Sequence, residues 1–503
     1  MSETTSAVPG QPSPATETRL ATIWRDNVAR PVRALKAAYL PLLMVYFAYG
    51  ALGIIDVARD MWIKESLSLS PAELAGIGVW LSLPWTIKMV FGQLVDSVPL
   101  FGLQRRVYVL IGAAFTASGL VTLAGAAGGW LAALRSDQAY VMGALLIVLG
   151  AVIQDVVADA MSSEVVERVD AAGNPRADAE IRADLGMVQV LGRLALGIGI
   201  LSVAGLSGFL AQHFTREQVF LAGLVIPLIS VTGILLYRGE TAERRPLDWR
   251  ILGGGIGFGA FVVAVALGGV PYAQEVVFAG SMVVVITMLH IVTRDIDPAT
   301  RRSILFASVI IFAFRATPGV GDGYFWWSLD VLKFDEAFYG VLRQTGAVIA
   351  IAAMWLFSKQ LTEYSVPSVL FWIAVAGTIL SLPNIGLFYG LAGWTEANLG
   401  FGARTIAVVD AATSSPFAQL SMIPLLTLVA YYAPEGRRAT WFALMASLMN
   451  LALVAGQLQT KYLNQVFTVG RGMYAELGPL LITATAIGFV VPVAVILMFR
   501  KRV

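Results

Sequence analysis

Asp155 and Asp159 lie four residues apart in IQDVVADAMSSEVVERV (153–169), directly after the apolar run ALLIVLGAV. Four residues is close to one helical turn, so the two carboxylates share a helix face, which Ser162 continues. A carboxylate turned to lipid costs several kcal/mol, so this face must look into the protein interior. There it could bind a substrate, carry a proton or pair with a base. Counted back from Glu167 at the charged end, Asp155 lies ~18 Å of helix rise inside the run, near mid-membrane. Glu164 and Glu167, closer to that end, read as gate or surface charges.

The bases available at depth are few. Lys88 sits in PWTIKMVFGQLVD, Arg193 in VQVLGRLALGIG and Arg315 in IIFAFRATPGVGDGYFWW. Each needs a carboxylate, a carbonyl or a watery cavity. All three are candidates for an anionic ligand, or for salt bridges with Asp155, Asp159, Asp56 or Asp322; an arginine fork suits a ligand carboxylate. Asp56, Arg59 and Asp60, where the first apolar run ends in GALGIIDVARDMW, read as an outer gate. Asp96 with Arg105 and Arg106, in GQLVDSVPLFGLQRRVYVL, could clasp two helices at the cytoplasmic face in one state and loosen in the other. The Gly-rich ATPGVGDGYFWW should break its helix and expose carbonyls. Tyr324, Trp326 and Trp327 beyond it could stack on a flat ring or serve as interfacial aromatics. Gln154, and Gln419 between the kinking Pro416 and Pro424, are further cavity candidates.

The elements that must position these groups are membrane helices. The chain has 503 residues, 57% of them hydrophobic and 14% charged, against roughly 25% charged in soluble domains. Apolar runs recur at 39–58, 73–96, 107–131, 139–166, 184–210 and 217–237, then 251–270 and 274–292, then 304–328, 337–357, 366–386, 403–432, 439–459 and 477–499. Each approaches the ~20 residues needed to cross a bilayer. The expected architecture is an all-α membrane protein of fourteen spans: a cytoplasmic tail and interfacial helix (1–36), an N-terminal six-helix bundle (37–237), a linker with two extra helices (238–300), and a C-terminal six-helix bundle (301–503). The 1–18 stretch reads as a disordered tail, not a signal peptide. Arg105 and Arg106, Arg168 and Arg176, Arg244 and Arg245, Arg301 and Arg302, and Arg500 to Arg502 load one set of loops, whereas Lys64, Arg135, Arg216 and Lys333 stand singly in the other. This asymmetry places both termini in the cytoplasm.

Composition also excludes. With no cysteine and only His213 and His290, far apart, neither a disulfide nor a thiolate or histidine metal cluster is expected. No cofactor is expected, and a net charge of +2 gives no reason to expect nucleic acid. No Walker, HExxH or GxSxG motif occurs, which argues against a pump or an intramembrane enzyme. A secondary transporter, with its internal twofold layout, is the first reading. A membrane assembly or scaffold protein reusing the same fold is the second.

Four stretches carry a family resemblance: PWTIKMVFGQLVDSVPLFGLQRRVYVLIG (84–112), QDVVADAMSSEVVE (154–167), FAFRATPGVGDGYFWWSLDVLKF (312–334) and MIPLLTLVAYYAPEGRRATWFALMASLMNLA (422–452). Together they resemble the folate–biopterin transporter family of the major facilitator superfamily. The resemblance implies a twelve-helix core that moves pteridines or folates with protons. In it Asp155 and Asp159 match the family's fourth-helix carboxylates and Lys88 its second-helix lysine. The pair 251–292 and Arg315 depart from the usual layout. The expected function is proton-coupled symport of an anionic, folate- or pteridine-like metabolite by one copy of the chain in a bacterial inner membrane, with another organic anion as the alternative cargo.

Overall fold

The computed structural model describes residues 33–170, 172–237, 249–363, 365–421, 425, 429, 432 and 438–502, with the side chains at 89, 163, 178, 179, 182, 183, 186, 250, 251, 267, 354–363, 416–420 and 438–440 not described. The expected tail and most of the interfacial helix therefore lie outside the described residues, as does the side chain of Gln419. Regular structure among the described residues is helical, without a strand. The helices are α1 (Leu40–Ala51), α2 (Asp56–Ser66), α3 (Pro71–Thr86), α4 (Lys88–Ser97), α5 (Arg105–Gly128), α6 (Ser136–Glu164), α7 (Asp178–His213), α8 (Arg216–Ala222), α9 (Val225–Leu235), α10 (Trp249–Leu267), α11 (Ala273–Val292), α12 (Pro298–Arg315), α13 (Asp322–Asp330), α14 (Glu336–Glu363), α15 (Val366–Phe388), α16 (Leu391–Leu399), α17 (Ala403–Leu420), α18 (Arg438–Val466) and α19 (Leu477–Phe499).

Among the described residues each apolar run foreseen from the sequence coincides with a helix or a helix pair, the run 403–432 being described as the helix Ala403–Leu420. Nine stretches of helix among the described residues are long and apolar enough to cross a membrane, ten if the bent α3–α4 pair is one span. α10 has a shorter apolar segment, Leu252–Ala266, and α12 is cut from α13 by a break. The helix α16 falls between two expected spans; its sequence, LAGWTEANL, is too short and mixed to read as one.

The breaks are local and sequence-encoded. α3 starts on a capping box: Ser70 Oγ accepts from the Glu73 N–H (3.3 Å) and the Ser70 N–H donates to Glu73 Oε2 (2.8 Å). Near its end Pro84 lacks an N–H and crowds the preceding turn. The chain bends by 40° and restarts at Lys88, which becomes the first residue of α4. The second break, Ala316 to Gly321, ends at Gly321 with φ 77°, a conformation that favours glycine. Polar side chains of α18 take up its freed backbone groups: Thr460 Oγ1 accepts from Gly319 N–H (2.8 Å), and Gln459 and Asn464 donate to the carbonyls of Ala316 (2.7 Å) and Val320 (3.1 Å).

Elsewhere small residues let helices close up. A Cβ on Gly119 would stand 2.5 Å from the Gly143 carbonyl, and one on Gly150 would stand 2.4 Å from that of Gly112, which fixes α5 against α6. The halves meet along α7 with α14 and α3 with α18. At the first seam a Cβ on Gly208 would lie 2.5 Å from the Gly340 Cα. The pair α10–α11 lies along the second: Val265 and Val277 pack on Leu83 of α3–α4, while Lys461 of α18 donates to Gln274 Oε1 and Glu275 Oε1, both 2.7 Å. Lys36, Arg105, Glu164, Asp184 and Arg502 mark the end of the bundle near the described chain ends, the terminal face; Lys64, Arg216, Asp330 and Arg471 mark the opposite, far face.

Candidate functional site

The α3–α4 break places the Lys88 ammonium beside the carboxylate face of α6. Its Nζ lies 2.5 Å from Asp155 Oδ2 and 2.6 Å from Asp159 Oδ2, while Tyr46 of α1 donates to Asp159 Oδ1 at 2.8 Å. Asp155 lies nine residues before Glu164, ~13 Å inside the helix end. Its side chain is 13% exposed, whereas that of Asp159, one turn nearer the terminal face, is 47% exposed. Arg193 of α7 is exposed on the same side. Its charge acts on Asp155, Tyr46 and Tyr49, and it has no hydrogen-bond or ion-pair partner among the described residues. The cluster thus holds two carboxylates against one fully engaged base and one available one. Protonating a carboxylate would release part of Lys88, and Arg193 could take an anion.

Other expected members stand elsewhere. Gln154, next to Asp155 in sequence, points the other way: it is 5% exposed and lines a small space with Thr116 and Ser230 between α1, α5, α6 and α9. One residue along a helix rotates a side chain by about 100°, so it leaves the carboxylate face. Arg315 donates to the Met449 carbonyl (3.3 Å) and lines a separate cavity of 420 Å³ with Asp322, Ser82, Gln457 and Thr460, between α3, the α12–α13 break and α18. Trp326 is fully buried with the Arg471 guanidinium 4.2 Å over its ring, so the stacking face expected of it is occupied. Tyr324 donates to Asn384 Oδ1 (2.8 Å), and Asn384 in turn bonds Asp410, which also accepts from Ser414 (3.0 Å). This network of α13, α15 and α17 is a second polar centre, in the C-terminal half; Asp410, a carboxylate in an apolar run, is the signal that could have found it.

The charges expected to form gates are brought together at both faces, Arg106 excepted. At the terminal face Arg105 joins Asp96 (2.8 Å) to Glu164 (2.5 Å), with Tyr237 donating to Glu164 (3.2 Å). Arg106 is not in this clasp; it donates to the Tyr237 carbonyl past the end of α9. At the far face Arg59 pairs with Asp56 (3.0 Å) and Asp60 (2.9 Å), and both carboxylates reach across to Arg343 of α14, at 2.7 and 3.0 Å. Lys64–Asp330 and Arg216–Glu336 (3.1 Å) add two more ties between the halves. Arg471 donates to the carbonyls of Ile63, Lys64 and Leu69, at 2.7–2.9 Å. In the loop before α19, Tyr474 donates to Asp330, and its phenol is pushed up to about 12, first by burial and then by that bond. Tyr46 and Arg343 were not singled out as site residues in the sequence: a phenol in an apolar helix and an arginine near a span end are both common.

Over 84% of its length the chain is 28% identical to a folate-biopterin transporter from Synechocystis, covering 75% of that protein. It is 22% identical to the probable folate-biopterin transporter 4 of Arabidopsis thaliana, covering 88% of this chain and 91% of that one. Among solved structures it resembles the peptide transporter POT in complex with sulfate (TM-score 0.62, 16% identity, 94% of each chain) and a POT family transporter in complex with 5-aminolevulinic acid (TM-score 0.64, 13% identity, 92% of this chain and 96% of that one). The fold is therefore that of the major facilitators, and by its family and curated relatives the protein is a multi-pass membrane transporter rather than an enzyme. A sequence model of the BT1 family matches residues 50–503, and the chain belongs to that family, the folate–biopterin transporters.

Proposed function

We propose that the protein is a proton-coupled symporter of anionic folate- or pteridine-like metabolites that works by alternating access, with both termini in the cytoplasm of a bacterial inner membrane. The observation that carries the reading is Lys88 held between Asp155 and Asp159 in the interior, with Arg193 beside them. A proton arriving at Asp155 neutralises one partner of Lys88. The ammonium then turns part of its charge to an incoming anion, which Arg193 takes bidentately. The halves 37–237 and 301–503 would rock about the α7–α14 and α3–α18 seams, closing one face as the other opens. Exposure of Asp159 and Arg193, with the far face tied shut, supports a state open toward the terminal face.

Gradient-driven uptake by proteoliposomes tests this. Labelled folate or a reduced pteridine should accumulate under an inward proton gradient. Asp155→Asn should abolish driven accumulation while sparing exchange. Driven uptake at the full rate in that variant removes Asp155 as the proton site; uptake of another anion class with no pteridine uptake overturns the cargo.

A further inference from the structure

The inserted pair leaves an unassigned cavity. At the terminal face the end of α11, the turn after it and the first turns of α12 line an open cavity of 550 Å³, with the basic His290, Arg294, Arg301 and Arg302 and the apolar Ile286, Leu289 and Leu305 among its walls. The order of these residues along both helices is the same. On α11 the apolar Ile286 comes one turn before His290, and Arg294 follows just past the helix end. On α12, which runs the opposite way, Arg301 and Arg302 come first and Leu305 one turn deeper. Both walls therefore change from apolar to basic toward the membrane surface. Ile286 and Leu305 are 56% and 51% exposed, which suits contact with hydrocarbon rather than with a helix.

The positive charge is not cancelled within the site. No carboxylate lines the cavity among the described residues. Neighbouring Asp297 is committed to capping α12, accepting from the N–H groups of Ala299 (3.0 Å) and Thr300 (2.9 Å). Arg294 and Arg302 have no ion-pair partner among the described residues. Arg301 donates to His290 Nδ1 at 2.5 Å; since a guanidinium can only donate, that nitrogen accepts and the ring proton sits on Nε2, leaving another donor. The result is several N–H donors and two unpaired cations above an apolar slot.

We propose that this cavity binds the phosphate headgroup of an anionic phospholipid, its acyl chains lying along Ile286 and Leu305. Such a lipid would fasten α11 to α12, and hence the inserted pair to the C-terminal half. The site is independent of the transported cargo. A basic pocket between membrane helices at one leaflet is a headgroup site by its chemistry, and its stabilisation should scale with occupancy.

The test uses the full chain in mixed micelles containing phosphatidylglycerol or phosphatidylcholine, with inorganic phosphate as a third arm. Phosphatidylglycerol should raise the Tm by at least about 3 °C over phosphatidylcholine. That increment should vanish in Arg294→Gln/Arg301→Gln/Arg302→Gln and shrink in Arg302→Gln, whose exposed side chain leaves folding intact. Native mass spectrometry should show one fewer retained phosphatidylglycerol in the triple variant. An equal Tm in both lipids, an increment that survives the triple substitution, or an equal increment from inorganic phosphate alone would each overturn the proposal.

Discussion

The far and terminal faces use the same chemistry in opposite ways. At the far face ion pairs join one half to the other, Arg343 to Asp56 and Asp60, Lys64 to Asp330 and Arg216 to Glu336, while Arg59 with Asp56 and Asp60 and Arg216 with Glu65 stay within the N-terminal half. At the terminal face the described pairs stay within the N-terminal half: Arg105 with Asp96 and Glu164, Arg176 and Lys36 with Asp184. Charges that cross between halves must break when the halves part, whereas charges within a half can persist. If the halves rock as proposed, the far-face pairs would act as a latch, and the terminal-face pairs as bracing inside a moving body. The Lys88 cluster lies between, braced to one half only.

The largest effect should come from the point both faces serve. Lys88→Met leaves Asp155 and Asp159 facing each other in the interior; breaking such a pair costs about 3–5 kcal/mol. Driven uptake should fall at least about 100-fold, and the double variant Lys88→Met/Asp155→Asn, which removes the buried uncompensated charge, should recover protein stability but not transport. Uptake and melting measured side by side separate the two.

Next comes the latch. Arg343→Ala removes two ties across the far face and should shift the halves toward a state open there. Because the chain has no cysteine, Ser82→Cys, in the 420 Å³ cavity, is a clean reporter. A membrane-impermeant thiol reagent applied from the far side should label it about tenfold faster with Arg343→Ala than without, a bias of ~1.4 kcal/mol. Unchanged labelling would show that the pairs are ornament rather than latch.

The bracing pairs should matter less. Arg105→Ala leaves Glu164 held by Tyr237, so the fold should survive and the transport rate drop about fivefold, or ~1 kcal/mol. A loss as large as that of Lys88→Met would erase the distinction between the faces. The smallest effect belongs to Asp297. Hydrogen bonds from Thr300, then from Ala299, hold its carboxyl below the usual aspartate range. Its capping contribution is thus present above the ordinary aspartate pKa and is lost as pH falls through the depressed one. Amide exchange in the first turn of α12 should rise only below about pH 4.

Much of this was legible in the sequence because hydrocarbon is an unforgiving solvent. Among the described residues the apolar runs are helical, and the Asp155–Asp159 face with Lys88 was found because charges at depth must meet. The pairing of Asp56, Arg59 and Asp60 at a span end followed from the same rule. What could not be read was rotation and partnership. Gln154 lies one residue from Asp155 yet faces α5 and α9, because helix phase is set by packing. Trp326 is covered by Arg471, which lies far along the chain, and Arg343 reached Asp56 only once α14 met α2 across the seam. Those contacts depend on how two bundles dock, which local pattern does not encode.

The central claim is that one face is latched while the other is open, and that cargo reverses them. Spin–spin distances measure it directly, between Arg135→Cys and Glu396→Cys at the far face and between Arg168→Cys and Lys501→Cys at the terminal face. Adding folate at acidic pH should lengthen the first distance and shorten the second. If both distances change in the same direction, or neither changes while folate is transported, the account is contradicted.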